Sequence, residues 1–490
     1  MMQRFMRMAA VTGVLSFTLL TCIWLFRATE SRSLAALQIW HTYRPAEEFR
    51  ARNFPDGMSF ADYRALEGRL ATELAENVVA RTDPQTAGIL NRFNAASVVH
   101  VGLDPDGWNW SKELPQKDPN GAVLLLHGAS DSPYSMRALA ELFAAANLHV
   151  LVLRLPGNGT VPGGLADVEL ADWAAVARMG VAHLDNITGG DRPVYVAGYS
   201  VGAALALDYT LTAIGETESR VPDALFLYSP AIAVSQYARY ASWDVTLGAI
   251  PAFNKFAWIS IQPEYDPYKY NSFPKSAGDV SWRLTRALEQ RMLKLAASAN
   301  EDRMPPVIAF QSVVDATVSP AALVDIVFDH LPDNGSELVL FDLNRRDVLR
   351  HLVTDPRSAM IRNLQEGPAL DFSLTLVSNR TAQTHAVVAT TRPAGFSEGQ
   401  VVDLALEWPV GVYSLSHVAI PFSADDPWYG IAAPGRGSDA LAFDTVAPRG
   451  EKDILLADIN NLMRLRYNPF FPYVADRTLQ FCMACERVAD

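Results

Sequence analysis

The sequence predicts an α/β fold in which a mostly parallel sheet carries helices on both faces. Short apolar runs recur along the chain and are separated by stretches long enough for helices, a spacing typical of parallel strands buried on both sides. One run ends at a serine between two glycines, and another ends at a histidine–glycine pair. The 490 residues are enough to bury a large core. The predicted strands span residues 122–126, 149–154, 194–197, 224–229, 306–310 and 338–341.

The most informative motif is the pentad Gly198-Tyr199-Ser200-Val201-Gly202. It follows a predicted strand and precedes a helix of small residues, which is the arrangement of a nucleophile elbow. Glycines flank the serine because the turn brings the backbone against neighbouring elements and leaves no room for a β-carbon. The amide of Val201, at the start of the helix, is predicted to point at an oxyanion formed beside Ser200.

A second motif, His127-Gly128-Ala129, follows the predicted strand 122–126. The glycine leaves the backbone free to aim an amide, that of Ala129, at the same oxyanion. His127 is interpreted as a turn histidine that shapes this loop, and a catalytic role is the alternative.

Four stretches together resemble the α/β-hydrolase superfamily: LLLHGASDSPYSM, LRLPGNGTVPGGL, VYVAGYSVGAALALDY and FQSVVDATVSP. They look closest to its monoacylglycerol lipase and serine-aminopeptidase branch, over residues 120–345. The resemblance implies an α/β-hydrolase fold and a catalytic order of serine, acid and histidine along the chain. Asn158 departs from the family, whose loop more often has histidine at that place. This departure concerns the shape of the loop and none of the catalytic residues.

A serine hydroxyl needs a histidine to take its proton and a carboxylate to hold the imidazole. Asp315 is the predicted acid, because it follows the strand 306–310 in a loop where the resembled family places its acid. The alternative is a capping or turn aspartate, with Ser319 a rival cap ahead of Pro320.

The predicted base is His417, with His351 as the alternative. His417 lies in a serine-flanked turn after an apolar stretch interpreted as a strand, and its surroundings are similar to the base loop of bacterial family members with a long insertion before the histidine. His351 stands where a minimal hydrolase has its base, but its neighbours are typical of a basic helix. His330 and His385 also follow Asp315, and we expect them in a helix and in a solvated turn.

Two insertions are predicted in the hydrolase domain, which takes residues 120–490. If His417 is the base, residues 345–410 form an insertion with extra C-terminal strands at 371–377 and 386–390.

The other insertion, residues 233–300, is rich in aromatic residues and too long for a simple connection, and it is predicted to form a helical cap over the serine. Its helix Trp282–Ala297 has one apolar stripe, which either lines an acyl pocket or lid or packs into a satellite core. The stripe consists of Leu284, Leu288, Met292 and Leu295.

Residues 30–119 are predicted to form an N-terminal extension that packs on the hydrolase core. Ser59 is expected to cap a helix, with Asp62 three residues later in the spacing of a capping box. The helix then carries one apolar stripe of Tyr63, Leu66, Leu70, Leu74 and Val78.

Residues 1–29 are predicted to be an N-terminal membrane anchor. The run from Met8 to Phe26 has no charge and is long enough to span the hydrocarbon core. Arg4 and Arg7 precede it, which favours a cytoplasmic N-terminus and a periplasmic or extracytoplasmic catalytic domain. A cleaved signal peptide is the alternative.

The composition excludes some classes of partner. The formal net charge of −13 and the pI of about 5.2 disfavour nucleic acid and strongly anionic partners. Cys482 and Cys485 form a lone CxxC with no second pair for a zinc site. We therefore expect neither a metal nor a cofactor.

These residues predict a serine hydrolase that cleaves carboxylic esters, in particular lipid or acyl esters, through an acyl-enzyme. Ser200, Asp315 and His417 form the triad in this interpretation, and the amides of Val201 and Ala129 form the oxyanion hole. A serine aminopeptidase-like peptidase is the first alternative. A non-catalytic ligand-binding protein that keeps the fold is the second.

Overall fold

The structure is a computed structural model that describes most of the chain after the first 33 residues. The described residues are 34–54, 57–233, 251–298, 300–346, 358–409, 412, 414–430 and 465–489, together with Thr18, Thr21 and Thr29.

A ten-stranded sheet forms the centre of the described part, with strand order β1-β3-β2-β4-β5-β8-β9-β10-β11-β12. The strands β6 and β7 form a separate antiparallel pair. The strands are β1 Lys112–Leu114, β2 Gly121–Leu126, β3 Leu148–Leu153, β4 Val194–Tyr199, β5 Ala224–Tyr228, β6 Trp258–Ser260, β7 Phe273–Pro274, β8 Val307–Ser312, β9 Glu337–Phe341, β10 Ser373–Asn379, β11 Ala386–Arg392 and β12 Gln400–Glu407.

The sheet is parallel from β3 to β10, whereas β1 at one end and β11 and β12 at the other run antiparallel to their neighbours. The six predicted core strands correspond to β2, β3, β4, β5, β8 and β9, so the predicted fold class is confirmed. The predicted extra strands correspond to β10 and β11. Two strands of this sheet were not predicted: β1, which has three residues, and β12, which is exposed along most of its length and so lacks a buried apolar face.

Helices cover both faces of the sheet. On β2, Ala122, Leu124 and Leu126 face one core, while Val123 and Leu125 face the other. The first core is completed by the helices α6 (Leu170–Thr188), α7 (Val201–Ile214) and α8 (Lys275–Ala296), and the second by α4 (Arg137–Ala145) and α11 (Phe471–Ala489). This alternation explains why the whole strand is apolar. The helices are α1 Ile39–Thr42, α2 Phe60–Asn77, α3 Pro84–Ala87, α4 Arg137–Ala145, α5 Pro162–Leu165, α6 Leu170–Thr188, α7 Val201–Ile214, α8 Lys275–Ala296, α9 Pro320–Ala322, α10 Ser358–Glu366 and α11 Phe471–Ala489.

The N-terminal segment is held to the sheet through Arg154, which directly follows β3. This buried guanidinium lies 3.0 Å from a Glu48 carboxylate oxygen and 2.9 Å from Glu67 Oε1 on α2. The Tyr63 hydroxyl donates to the Arg154 carbonyl at 2.9 Å. Ser59 caps α2 as predicted, because its hydroxyl accepts from the Asp62 amide. The domain boundaries at residues 30 and 120 stay predictions.

The predicted cap is described from residue 251 onward, and residues 234–250 lie outside the described part. Its helix α8 begins at Lys275, seven residues before the predicted start. Leu284, Leu288 and Met292 are buried in the same core as α7, so the apolar stripe packs into the main core of the hydrolase domain. The connection between β6 and β7, residues 261–272, is called the cap loop below.

The membrane prediction requires correction. Among the helices that the structure describes, none has the length and apolar character needed to cross a bilayer. This finding contradicts the single N-terminal span, the membrane attachment and the extracytoplasmic location that followed from it. The prediction used the apolar character and length of residues 8–26 and the arginines before them, whereas a span requires a continuous apolar helix of about 20 residues. Of that run, only Thr18 and Thr21 are described.

Candidate active site

Ser200 lies on a tight turn between β4 and α7, as the pentad predicts. Its φ of 56° and ψ of −119° are a strained conformation for a residue with a β-carbon. A β-carbon on Gly202 would lie 2.1 Å from the Leu126 carbonyl oxygen, and one on Gly198 would lie 2.4 Å from the Ala203 nitrogen. Both positions therefore need glycine, because the neighbouring backbone occupies the space of a side chain.

The structure brings Ser200, His417 and Asp315 together in one buried line. His417 Nε2 lies 2.9 Å from Ser200 Oγ, and His417 Nδ1 lies 2.7 Å from Asp315 Oδ2. All three side chains are buried, and Ser200 is the most accessible at 8% exposure. His351, the alternative base, lies outside the described residues.

The immediate context of His417 differs from the prediction. The histidine begins a 3₁₀ turn, His417–Ala419, and the described residues just before it, 412 and 414–416, are not in a strand. Apolar composition suggested a strand here, but these residues pack as a loop, with Leu415 buried in the core beside α11. The turn holds the imidazole against the ring of Tyr199, with centroids 5.4 Å apart.

Both oxygens of the Asp315 carboxylate have hydrogen-bond partners. Oδ1 accepts from the amides of Thr317 and Val318 at 2.8 and 3.0 Å, and Oδ2 accepts from Gln311 Nε2 at 2.8 Å besides facing His417. Burial by itself raises the pKa of Asp315, but the electrostatic attraction and hydrogen bond of His417, together with the Val318 and Thr317 amides, outweigh burial and hold the pKa below its usual value. The carboxylate is therefore kept ionised beside the imidazole.

Sequence reasoning missed two residues that position this pair. Gln311 lies near the end of β8, and its only sequence signal was a polar residue directly after the apolar residues 307–310. Ser312, the last residue of β8, donates from its hydroxyl to the Leu415 carbonyl at 3.0 Å. This bond links the strand that leads to Asp315 with the loop that carries His417.

The loop after β2 is shaped by His127 and Asn158. Burial lowers the pKa of His127 to about 3, so the ring is neutral. Its Nδ1–H donates to the Gly128 carbonyl at 2.8 Å, and its Nε2 accepts from the Leu155 amide at 3.0 Å. Asn158 Nδ2 donates to the Ala129 carbonyl at 2.7 Å. These bonds fix the backbone around Ala129, which agrees with the interpretation of His127 as a loop-shaping residue.

Val201 is the first residue of α7, directly after the serine. The assignment of the Val201 and Ala129 amides to an oxyanion hole stays a prediction. Among the described residues, no group of three or more His, Cys, Asp or Glu side chains is placed to hold a metal ion.

The parallel sheet and the strained serine at the end of a central strand define the fold as that of the α/β hydrolases. Residues 123–363, just under half of the chain, match the family model described as the alpha/beta hydrolase family, and the predicted resemblance to this superfamily is confirmed. The matched region includes Ser200 and Asp315 but ends before His417.

Two curated relatives are similar to part of the chain. The thermostable monoacylglycerol lipase of Bacillus sp. (strain H-257) is 28% identical over 219 residues, which are 44% of this chain and 79% of that protein. Phospholipase YtpA of Bacillus subtilis (strain 168) is 24% identical over 102 residues, which are 21% of this chain and 37% of that protein. Among solved structures, the Paleococcus ferrophilus monoacylglycerol lipase has a TM-score of 0.35 at 16% identity, over 48% of this chain and 88% of that chain.

Proposed function

We propose that this chain is a serine hydrolase that cleaves carboxylic esters through an acyl-enzyme, with Ser200 as nucleophile, His417 as base and Asp315 as the acid that orients the base. The observation that carries the proposal is the unbroken line of contacts from Ser200 Oγ through both ring nitrogens of His417 to Asp315 Oδ2.

The geometry supports a defined sequence of proton transfers. The Asp315 carboxylate accepts Nδ1–H, so the neutral imidazole presents an unprotonated Nε2 to the serine hydroxyl. Ser200 Oγ attacks the ester carbonyl while His417 takes the hydroxyl proton. The imidazolium then gives this proton to the leaving alcohol as the acyl-enzyme forms. A water molecule, activated by the same histidine, releases the acid and restores Ser200.

The tetrahedral intermediates carry a negative oxygen that needs hydrogen-bond donors. In this proposal the amides of Val201 and Ala129 supply them. Val201 begins a 14-residue helix, whose N-terminus adds a favourable field for negative charge. The backbone at Ala129 is held by Asn158, so its amide direction is set before substrate binds.

Lipid or acyl esters are the substrate class that the surroundings favour. Both curated relatives carry lipase names, one for monoacylglycerol and one for phospholipid. Aromatic rings also flank the loop after β2: the ring of Tyr268 in the cap loop stacks on Tyr134 at 3.8 Å, with Trp428 against its edge. Such a surface suits an acyl chain better than a charged peptide.

The test is covalent labelling with a fluorophosphonate probe, followed by turnover on paired substrates. Wild type is expected to be labelled, and Ser200→Ala is expected to lose the label. Ser229→Ala is the matched control, because Ser229 is also buried, follows a central strand and has a positive φ of 45°.

Wild-type enzyme that has not been treated with the probe should hydrolyse acyl esters and leave the corresponding anilides largely intact. Folded wild-type protein without labelling contradicts the triad, and faster cleavage of the anilides assigns the chain to the peptidase alternative.

A further inference from the structure

The turn that carries His417 is held on both sides by residues 465–468. Directly before the histidine, the Ser416 hydroxyl donates to the carbonyl of the first residue in this segment. After the histidine, the amide of Asn468, the last residue of the segment, donates to the Phe422 carbonyl at 2.7 Å. The position of the proposed base therefore depends on where segment 465–468 lies.

The buried carboxylate of Asp266, in the cap loop, contacts both this segment and the chain that continues from His417. Asp266 Oδ2 lies 3.2 Å from Nη1 of Arg466, which is inside the segment. Asp266 Oδ1 accepts a hydrogen bond from the Tyr429 hydroxyl at 2.5 Å. The ring of Tyr429 also packs against Phe422, with centroids 4.6 Å apart. One carboxylate thus joins the cap loop to two parts of the chain that surround the base.

These contacts are shielded from solvent, which makes them strong. Asp266 is 0% exposed, Tyr429 3% and Arg466 8%. Burial, reinforced by the Asp266 charge, raises the pKa of Tyr429 well above its ordinary value, so the hydroxyl keeps its proton and donates to the carboxylate. Hydrogen bonds to an ionised group are roughly twice as strong as those between neutral groups. The three side chains therefore form a fixed unit, unlike an exposed ion pair, which would contribute little.

The cap-loop end of this unit is fixed as well. Asp266 Oδ1 also accepts from the amides of Tyr268 and Lys269, at 3.0 and 3.1 Å, so the loop itself orients the carboxylate. The Tyr268 ring stacks on Tyr134, which follows β2, with centroids 3.8 Å apart. The Tyr134 hydroxyl donates at 3.0 Å to Asp426, in the segment that follows the base. The cap loop, the loop after β2 and the segment after the base are therefore joined by buried contacts.

We propose that Asp266 is a positioning residue that holds His417 in line with Ser200. It does so by linking the cap loop to Arg466 and Tyr429, which belong to the two parts of the chain around the base turn. The inference rests on the proposed hydrolase function and adds to it a residue outside the triad and the oxyanion hole. The cap loop is then part of the catalytic apparatus, because a displaced cap loop would release both contacts and let the base turn move.

Steady-state kinetics on ethyl butyrate tests the proposal. Asp266→Asn keeps the acceptor for the cap-loop amides but places an amide nitrogen toward Arg466. We expect it to lower kcat by roughly 10- to 100-fold, the effect of misplacing a catalytic group by about 1 Å, while KM changes little. Tyr429→Phe keeps the ring and removes one hydroxyl, so it should lower kcat by a smaller factor. Because one carboxylate makes both contacts, the double variant should lose less than the product of the two single losses.

Glu337→Gln is the matched control. Glu337 is also a buried carboxylate with a basic partner on a distant segment, Arg477 of α11. It is the first residue of β9, whereas Ser200 follows the last residue of β4, so the two lie at opposite ends of the parallel sheet. This variant should lower the melting temperature as Asp266→Asn does, but its kcat should stay at the wild-type value.

Proton NMR reports the position of the imidazole without turnover. The Nδ1–H that His417 donates to Asp315 is buried, so its resonance should lie far downfield and exchange slowly with solvent. This resonance should shift or broaden in Asp266→Asn and persist unchanged in Glu337→Gln.

Two results would overturn the inference and leave the hydrolase proposal in place. Equal losses of kcat in Asp266→Asn and Glu337→Gln would assign Asp266 to stability alone, and an unchanged kcat with an unchanged resonance would exclude positioning. If Asp266→Asn does not fold, Tyr429→Phe decides by the same criteria. Folded wild type without labelling or turnover would instead overturn the hydrolase proposal, and the resonance would still test whether Asp266 positions His417.

Discussion

Gln311 Nε2 donates to Asp315 Oδ2 at 2.8 Å, and this is the same oxygen that faces His417 Nδ1. This second contact to Oδ2 restricts the rotation of the carboxylate beside the imidazole. Because Gln311 lies in β8, it links the position of the acid to the rigid centre of the sheet.

We predict that Gln311→Leu lowers kcat without a matching rise in KM. The change removes a donor to a buried charged group, which typically costs about 1.5–3 kcal/mol, and frees the carboxylate to turn away from His417. Steady-state kinetics over a pH series is the measurement. Gln116→Leu, a control that loses a bond to the Ala144 carbonyl far from the serine, should retain wild-type kinetics. Unchanged kcat in Gln311→Leu would show that the two backbone amides suffice to hold Asp315.

The base assignment predicts a clear difference between two histidine variants. His417→Ala should lower turnover by roughly 10⁴-fold or more, because the serine loses its proton acceptor. His351→Ala should keep turnover near that of wild type. Single-turnover kinetics with a chromogenic ester measures the rate at which Ser200 is acylated. If the effects are reversed, the predicted insertion at residues 345–410 is wrong.

The elbow geometry predicts that Gly202→Ala disrupts the protein. Its β-carbon would lie 2.1 Å from the Leu126 carbonyl oxygen, so either β2 or α7 must shift. We expect a lower melting temperature and loss of fluorophosphonate labelling. The control is Gly68→Ala in the middle of α2, where a β-carbon meets no atom within 4 Å. That change should stabilise the fold by about 0.5–1 kcal/mol, because alanine is the better helix former. Wild-type melting and labelling of Gly202→Ala would contradict the close approach.

The burial of the Glu264 carboxyl group leads us to predict that the stability of the fold depends on pH. Burial raises the pKa of Glu264 from 4.5 to about 7, against the opposing effect of its amide donors. Between these values the unfolded chain has lost the proton that the folded chain still holds, so the free energy of unfolding should fall as the pH rises from 4.5 to 7 and then level off.

Urea unfolding of Glu264→Gln at several pH values tests this expectation. In this variant, the free energy of unfolding should fall less steeply with pH, because Glu264 no longer contributes to the dependence. Glu398→Gln, an exposed site, is the control that should keep the wild-type slope. A wild-type slope in Glu264→Gln would mean that another group causes the pH dependence.

The local motifs were predictable because short-range sequence determines them. A strand such as β2 must be wholly apolar when both its faces are covered, and Gly198 and Gly202 must be glycine where backbones approach within the radius of a β-carbon. The position of Asp315 after β8 followed from the same logic together with the family resemblance. The prediction of an N-terminal membrane span was wrong, because an apolar run in the sequence does not by itself establish a membrane-spanning helix.

The sequence by itself determined the class of fold, the strained serine and the loop that carries the acid. The tertiary structure decided which histidine reaches Ser200, because 217 residues separate Ser200 from His417 and only the path of the chain brings them within 2.9 Å. It also decided that Gln311 contacts Asp315 and that Ser312 contacts the loop that carries His417. Contacts of this kind depend on where distant elements pack, and no local pattern of residues encodes them.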